Sequence, residues 1–270
     1  MAEIRADHYG PWALIAGGSE GIGLAFARRL AAAGINLVLL ARSADTLQGA
    51  ADALQAEYPI EVRTEAVDLT ADGLETRVAD LAKELEIGLL IYNAGAMHCA
   101  ELFLNRPLAD AQKLVALNCN GPLVCCHILG TAMRERGRGG ILLLSSMSGL
   151  GGGAYTAAYG ATKSFDIVLA EALWAELQPA GIDVLGLICG ATDTPAMARS
   201  GIDFGEESGF TPMNPEDVAR EGLAALGSGP LHVAGEGNRE MAEVLRGDRK
   251  QAIEFLSMGA SMLFNKPWPL

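Results

Sequence analysis

The stretch Trp12–Leu30, WALIAGGSEGIGLAFARRL, decides the fold. The apolar run Trp12–Ala16 leads into GGSEGIG, and Leu24, Phe26, Ala27 and Leu30 then recur at helical spacing. That order predicts strand, glycine turn, helix. Gly17, Gly21 and Gly23 stand in a GxxxGxG pattern. Glycines there permit unusual φ angles, let backbone approach a pyrophosphate, and let the helix pack against its strand. First-turn N–H groups then face an anion with the helix dipole behind them. At the head of a βαβ unit the triplet is a specific signal rather than a generic tight turn.

The alternation continues down the chain. Apolar strand-like runs at Ile35–Ala41, Val62–Val67, Ile87–Tyr92, Ile141–Ser145 and Ile182–Ile188 are separated by helix candidates at 44–57, 71–85, 107–137 and 155–178. Leu231–Ala234 adds a last strand. This pattern predicts a doubly wound parallel α/β sheet with helices on both faces, a three-layer Rossmann fold. With 270 residues and no linker, repeat or low-complexity block, residues 1–270 read as one domain. Residues 194–213 break the pattern, being rich in Gly, Met and Phe (Met197, Gly201, Phe204, Gly205, Gly209, Phe210, Met213). They follow a strand's carboxyl end, where open α/β sheets bind ligands, and read as a substrate lid or as a surface loop. Residues 238–264 read as a helical extension whose Ile253, Phe255, Leu256, Met258, Met262, Leu263 and Phe264 present a large apolar surface.

Composition narrows the function. Half the residues are apolar, enough for a sizeable core, and the net charge of −13 argues against nucleic acid, whose binding needs a basic surface. No run reaches the roughly eighteen continuous apolar residues of a membrane span. The N-terminus, with Glu3, Arg5 and Asp7, lacks the form of a secretory signal. Five cysteines without zinc spacing read as reduced thiols, and a cytoplasmic location is expected. His8, His98, His127 and His232 are scattered, so no metal is expected.

A second stretch carries chemistry: Ser146–Lys163, SMSGLGGGAYTAAYGATK. Tyr159 and Lys163 are four apart where a helix pattern continues through Phe165, Val168, Leu169, Ala172 and Leu173. Residues i and i+4 share a helix face, so the ammonium can sit beside the phenol. A free phenol, with a pKa of roughly 10, is a poor proton shuttle at neutral pH. A neighbouring cation favours the phenolate, and a lowered pKa is expected for Tyr159.

With these motifs, YNAG at Tyr92–Gly95, Asn118 in LNCNG, and CGATDTP at Cys189–Pro195, the chain resembles the short-chain dehydrogenase/reductase family from about Pro11 to about Met197. The resemblance implies a ketone–alcohol oxidoreductase using a nicotinamide dinucleotide. Ser146 and Tyr159 would hold the substrate carbonyl and Tyr159 would give its proton. Lys163 would tune the phenol and hold ribose hydroxyls, and Asn118 would anchor a relay water. Ser145 is a rival for the serine role, though the thirteen-residue spacing to Tyr159 favours Ser146. Implied cofactor contacts are Gly17, Ser19, Glu20, Gly21, Ile22, Gly23, Arg42, Ser43, Asp68, Leu69, Asn93, Ala94, Gly95, Tyr159, Lys163, Gly190, Thr192 and Thr194. NAD sites place an acid about twenty residues past the glycines. Arg42 stands there instead, and suits a 2′-phosphate through bidentate charged bonds, so NADP(H) is expected ahead of NAD(H). Glu20 departs from that preference, since NADP-preferring relatives often carry a basic side chain before this glycine. Asp45 reads as a helix cap. Asp68 reads as an adenine contact, as the N-cap of the next helix, or as both.

By analogy, substrate contacts fall on Ser146, Tyr159, Met97, Tyr155 and Met197, with His98, Met147, Leu150, Phe204 and Phe210 nearby. This mostly apolar, methionine-rich set suits a lipophilic ketone or secondary alcohol, steroid-like or alicyclic. A 3-oxoacyl-thioester reductase competes, although the glycine-rich TGQ…DGG tail common in such relatives is missing. A dinucleotide-binding sensor without turnover is a third reading. Helix 120–133 and the helix after Tyr159 resemble those that make subunit contacts in relatives, implying a homodimer or homotetramer.

Overall fold

After a short helix, α1 (Ala6–Tyr9), Trp12–Ala16 forms strand β1 and the glycine turn delivers the chain into α2 (Gly21–Ala32). The alternation proceeds through β2 (Asn36–Ala41), α3 (Ala44–Glu57), β3 (Val62–Ala66), α4 (Leu74–Glu84) and β4 (Ile87–Tyr92). Helix α5 (Leu108–Val115) runs through a π-helical turn, Ala116–Asn120, into α6 (Gly121–Arg136). Then follow β5 (Gly139–Ser146), α7 (Ala157–Leu177), β6 (Ile182–Cys189), α8 (Pro195–Arg199), α9 (Pro215–Ala225) and β7 (Leu231–Val233). Two helices, α10 (Glu236–Leu245) and α11 (Arg249–Leu263), finish the chain. The computed structural model describes residues 4–95, 100–200, 202 and 211–268.

Seven parallel strands order as β3-β2-β1-β4-β5-β6-β7, so the winding direction reverses between β1 and β4. Ligands of open α/β sheets bind at that crevice, outside the strands' carboxyl ends. Register puts Ala16 level with both Leu40 and Tyr92, and Ser146 level with Cys189. The glycine turn, Asn93 and the Ser146 end of β5 therefore share one rim.

Two apolar layers sandwich the sheet, because alternate strand residues point to opposite faces. Ala13, Ile15, Leu37 and Leu39 pack with Phe26 and Leu30 of α2, Leu47 and Leu54 of α3, and Val218 of α9. Leu14, Ala16, Val38 and Leu40 pack on the other side with Val78 and Leu81 of α4, Leu129 and Met133 of α6, and Ala170 of α7. As one run, Leu108–Arg136 has the length and composition of a membrane span. Its buried Cys125, Cys126, Leu129 and Met133 lie against the sheet, the pattern of a core helix.

Several boundaries differ from the sequence reading. The predicted helix 71–85 starts at Leu74 with Gly73 at its N-cap, so Asp68 is not that cap. Asp68 instead closes its own turn, accepting from the Thr70 N–H (2.9 Å) and hydroxyl (2.8 Å). Ser43, not Asp45, caps α3 by accepting from the Thr46 N–H (3.3 Å). The π turn interrupts the predicted helix 107–137. Tyr92 donates to the Leu117 carbonyl there (2.7 Å), and a side chain at Gly121 would collide with that hydroxyl. The 238–264 extension is two helices, because Asp248 restarts the chain by accepting from the N–H groups of Lys250 and Gln251.

Candidate active site

The glycine turn is built from close backbone approaches. Gly17 has φ +79°, and a Cβ there would come within 2.9 Å of Asn93 Nδ2, which donates to the Gly17 carbonyl (2.8 Å). A Cβ at Gly23 would overlap that same carbonyl oxygen. Only glycine lets the turn fold onto the first turn of α2. Glu20 stands at the N-cap without capping through its side chain. Uncapped N–H groups at a helix start, beneath a backbone that tolerates no Cβ, fit a dinucleotide pyrophosphate. Ser19, Gly21 and Ile22 complete the half-buried turn.

The Glu20 carboxylate is engaged elsewhere. It pairs with Arg199 of α8 through both oxygens, one contact at 3.0 Å. An exposed pair of this kind contributes at most about 1 kcal/mol. It nonetheless ties the glycine turn to the start of the 194–213 segment. Thr194 caps α8, accepting from Met197 N–H (3.3 Å), and its methyl faces Gly21. Thr192 is buried and donates to the Gly190 carbonyl (3.1 Å), while Gly190 itself lies against Asn238 of α10. Met213 returns to this strand end, exchanging backbone bonds with Ala191 and Asp193 (both 2.9 Å). Gly201, Phe204, Gly205, Gly209 and Phe210 of the expected lid lie outside the described residues, as do Met97 and His98.

On the adenosine side, Arg42 is exposed just past β2, and its charge helps hold the Asp68 carboxyl below the usual range, after the Thr70 hydrogen bonds. Among the described residues Ser43 keeps its O–H free to donate while its oxygen caps α3. Leu69 is buried in the core, so its backbone alone can face a ligand. Asn93 and Ala94 both border Gly17.

Ser146, Tyr159, Lys163 and Asn118 come together where β5, α7 and the π turn meet. Lys163 is buried and donates to the Leu144 carbonyl (2.8 Å) and to Asp166 Oδ2 (2.9 Å). Asn118 is fully buried, and its amide donates to Thr162 Oγ1 (3.0 Å), which donates onward to the Tyr159 carbonyl (2.8 Å). A Cβ on Gly95 would sit 3.3 Å from Lys163 Nζ and 3.6 Å from Asn118 Oδ1, so this glycine borders both groups. Ser145 donates to the Lys163 carbonyl (2.7 Å) from inside the core. Its hydroxyl fastens β5 to α7, which leaves Ser146 to face the phenol.

The electrostatics correct one expectation. Burial pushes the Tyr159 phenol above its ordinary value, while Lys163 and Ser146 pull it down without prevailing. Lys163 acts in the expected direction, but desolvation of the phenolate is larger. Burial also works against charge on Lys163, yet Asp166 and Tyr159 outweigh it and hold the ammonium protonated. Asp166 is a buried carboxylate that motif reading missed.

A pocket of about 230 Å³ opens beside Tyr159, walled by Phe103, Leu104, Leu108, Leu114 and Tyr155. Arg106 and Asp110, paired at 2.6 Å, are its charged members on α5's side. Tyr155 holds φ +65°, a left-handed conformation rare for an aromatic residue, and donates to the Pro267 carbonyl. Its ring thus faces the pocket while its hydroxyl anchors the tail. Met197 is not among the residues that wall this pocket, and Met147 and Leu150 pack instead in a cluster with Ile167 and Val233.

Known proteins share this fold. The short chain dehydrogenase family model matches residues 11–203. A 7β-hydroxysteroid dehydrogenase of Collinsella aerofaciens is 28% identical over 236 residues, 87% of this chain and 89% of that protein. A very-long-chain 3-oxoacyl-CoA reductase of Neurospora crassa is 33% identical over 222 residues, 81% of this chain but 65% of that longer protein. A solved 7β-hydroxysteroid dehydrogenase superposes with a TM-score of 0.87 at 25% identity, covering 94% of this chain and 99% of the other. A Sphingobium yanoikuyae short-chain dehydrogenase in complex with NADPH gives 0.77 at 29% identity, covering 89% and 94%. Sheet order, glycine turn and the Ser146–Tyr159–Lys163 cluster thus converge with the family match: the chain belongs to the short-chain dehydrogenases, nicotinamide-dependent oxidoreductases acting on hydroxyl and carbonyl groups.

Proposed function

We propose that this oxidoreductase interconverts a lipophilic ketone and its secondary alcohol with NADP(H), acting on a steroid-like or alicyclic substrate. The observation that carries the proposal is the meeting of Ser146, Tyr159 and Lys163 beside an apolar pocket, past the carboxyl end of β5. A reduced nicotinamide, when bound, supplies hydride to the carbonyl carbon. The protein orients the carbonyl and manages the proton. Ser146 and Tyr159 donate hydrogen bonds to the oxygen as negative charge grows on it, and Tyr159 gives up its proton. Lys163 stabilises the tyrosinate left behind. Asn118, fully buried with Oδ1 making no hydrogen bond among the described residues, is suited to hold a water beside Lys163. Burial keeps the Tyr159 phenol in its protonated form, the state from which a proton donor in ketone reduction starts.

Gly17, Ser19, Gly21, Ile22 and Gly23 would cradle the pyrophosphate, and Arg42 with Ser43 would take the 2′-phosphate. Arg42→Asp should weaken NADPH binding by about 10- to 100-fold, the loss of a bidentate charged contact, and leave NADH nearly unaffected. Titrating both cofactors by fluorescence checks this, and equal losses would show Arg42 to be structural.

The similarity to a 7β-hydroxysteroid dehydrogenase over 89% of its length supports a steroid-like substrate. The 33% identity to a 3-oxoacyl-CoA reductase favours a second reading, reduction of a 3-oxoacyl thioester. Following nicotinamide absorbance with a 7-oxosteroid, simple cyclic ketones and a 3-oxoacyl-CoA, each with NADPH and NADH, separates the readings. Turnover of the thioester alone would replace the first by the second. Exposed Leu104, Leu108 and Val115 with Val168 of α7 support a homodimer or homotetramer through this side.

A further inference from the structure

Asp166 stands one turn beyond Lys163 on α7, and both side chains are buried, 3% and 6% exposed. Lys163 Nζ spends one donor on Asp166 Oδ2 and one on the Leu144 carbonyl, leaving one for the direction of Tyr159 and Gly95. Asp166 Oδ1 is buried and makes no hydrogen bond among the described residues, so Lys163 is the carboxylate's principal partner. Tyr159 lies beside the pair on the same helix, and facing it from neighbouring elements are Tyr92 at the end of β4, Cys119 in the π turn, Cys126 on α6 and Cys189 at the end of β6. Burial pushes both tyrosines and all three thiols up, Cys189 to about 11, so each is neutral near pH 7. Burial pushes the Asp166 carboxyl above the usual carboxylate range while the Lys163 ammonium pulls it back, and as a carboxylate it is, among the described residues, the one anion facing the ammonium.

We propose that Asp166 is a positioning residue whose carboxylate fixes Lys163 against the Leu144 carbonyl and offsets the charge Lys163 presents to Tyr159, holding the phenol in its neutral, protonated form. The physical step is simple. An isolated ammonium favours the phenolate, whereas an ammonium–carboxylate pair is a dipole whose field falls off faster. Paired with the ammonium, the carboxylate weakens the pull on the phenol without displacing the lysine. This inference rests on Tyr159 being the proton donor of the proposed reaction, and it adds a residue beyond the Ser–Tyr–Lys set.

The test needs no substrate. Alkaline titration of tyrosinate ultraviolet absorbance, with Tyr159→Phe as the blank in each background, isolates the ionisation of Tyr159. Asp166→Asn keeps an acceptor for Lys163 and removes the charge. Its Tyr159 step should move to lower pH by about one unit, since one unit is the interaction expected of a nearby buried charge. Asp166→Glu should stay at the parental pH. A step in the Asn variant that stays at the parental pH or rises overturns the proposal. So does an equal movement in the Asn and Glu variants, which would make packing and not charge the cause. Should the Asn variant not fold, as judged by circular dichroism, Asp166→Ser is neutral and smaller and is read against the same outcomes. A silent ketone panel would sink the proposed reaction and leave this titration untouched, so the two failures are distinguishable.

Discussion

Tyr159→Phe should lower kcat for ketone reduction by about a thousandfold while NADPH affinity changes little. Two losses combine in that figure. General acid catalysis by a positioned side chain contributes about 10²- to 10⁴-fold. One of the two donors aimed at the developing oxyanion disappears as well, and such donors are worth about 10²- to 10³-fold singly, though the two effects overlap. The fold should survive, because the helix around Tyr159 is held by other contacts: Ser145 to the Lys163 carbonyl, Ser164 to the Gly149 carbonyl, and Thr162 to the Tyr159 carbonyl. Single-turnover kinetics on the purified variant check it. A variant keeping more than about a tenth of the parental rate would require another proton donor.

The second large effect belongs to the glycine turn. Gly23→Ala places a methyl on the Gly17 carbonyl oxygen, and that obstacle is backbone, so no side chain can yield. Asn93 also closes on the site, with Nδ2 within 2.7 Å of the added Cβ. Overpacking of this kind costs about 3 kcal/mol or more. In a chain of this size that lowers Tm by about 6 to 12 °C. Cofactor affinity should fall with it, by about a hundredfold, because the displaced turn is the one that meets the pyrophosphate. Gly49→Ala is the control: it sits mid-helix in α3 with nothing within 4 Å of its new Cβ. It should stabilise by up to about 1 kcal/mol. Similar melting temperatures for the two variants would contradict the turn geometry.

What was legible in the sequence was what depends on short spacing. The turn at Gly17–Gly23 and the pair Tyr159–Lys163 follow from strand-to-helix and i,i+4 geometry, and each stands where those rules put it. Strand ends were legible to within a residue or two, because apolar runs end where the sheet meets water. Asp166 carried a readable signal, the i,i+3 spacing from Lys163, but an acid on a helix is ordinarily solvated. Only the packing of α7 against its neighbours in the fold seals it from water. The direction of the Tyr159 shift failed for the same reason: sequence shows the cation beside the phenol but not the burial that opposes it. Contacts such as Glu20 to Arg199, or Tyr155 to Pro267, join segments more than a hundred residues apart, and no local rule anticipates them. Gly73 rather than Asp68 heads α4 because Asp68 spends its carboxylate on Thr70 in a turn of its own.

The most direct measurement follows hydrogen from cofactor to product. The protein is incubated with a 7-oxosteroid and NADPH deuterated at the transferable position, and the product is weighed by mass spectrometry. The account predicts an alcohol carrying the deuterium on its carbinol carbon, formed by the parent and lost in Tyr159→Phe. Unlabelled product, or labelled product formed equally well without the Tyr159 hydroxyl, would contradict it.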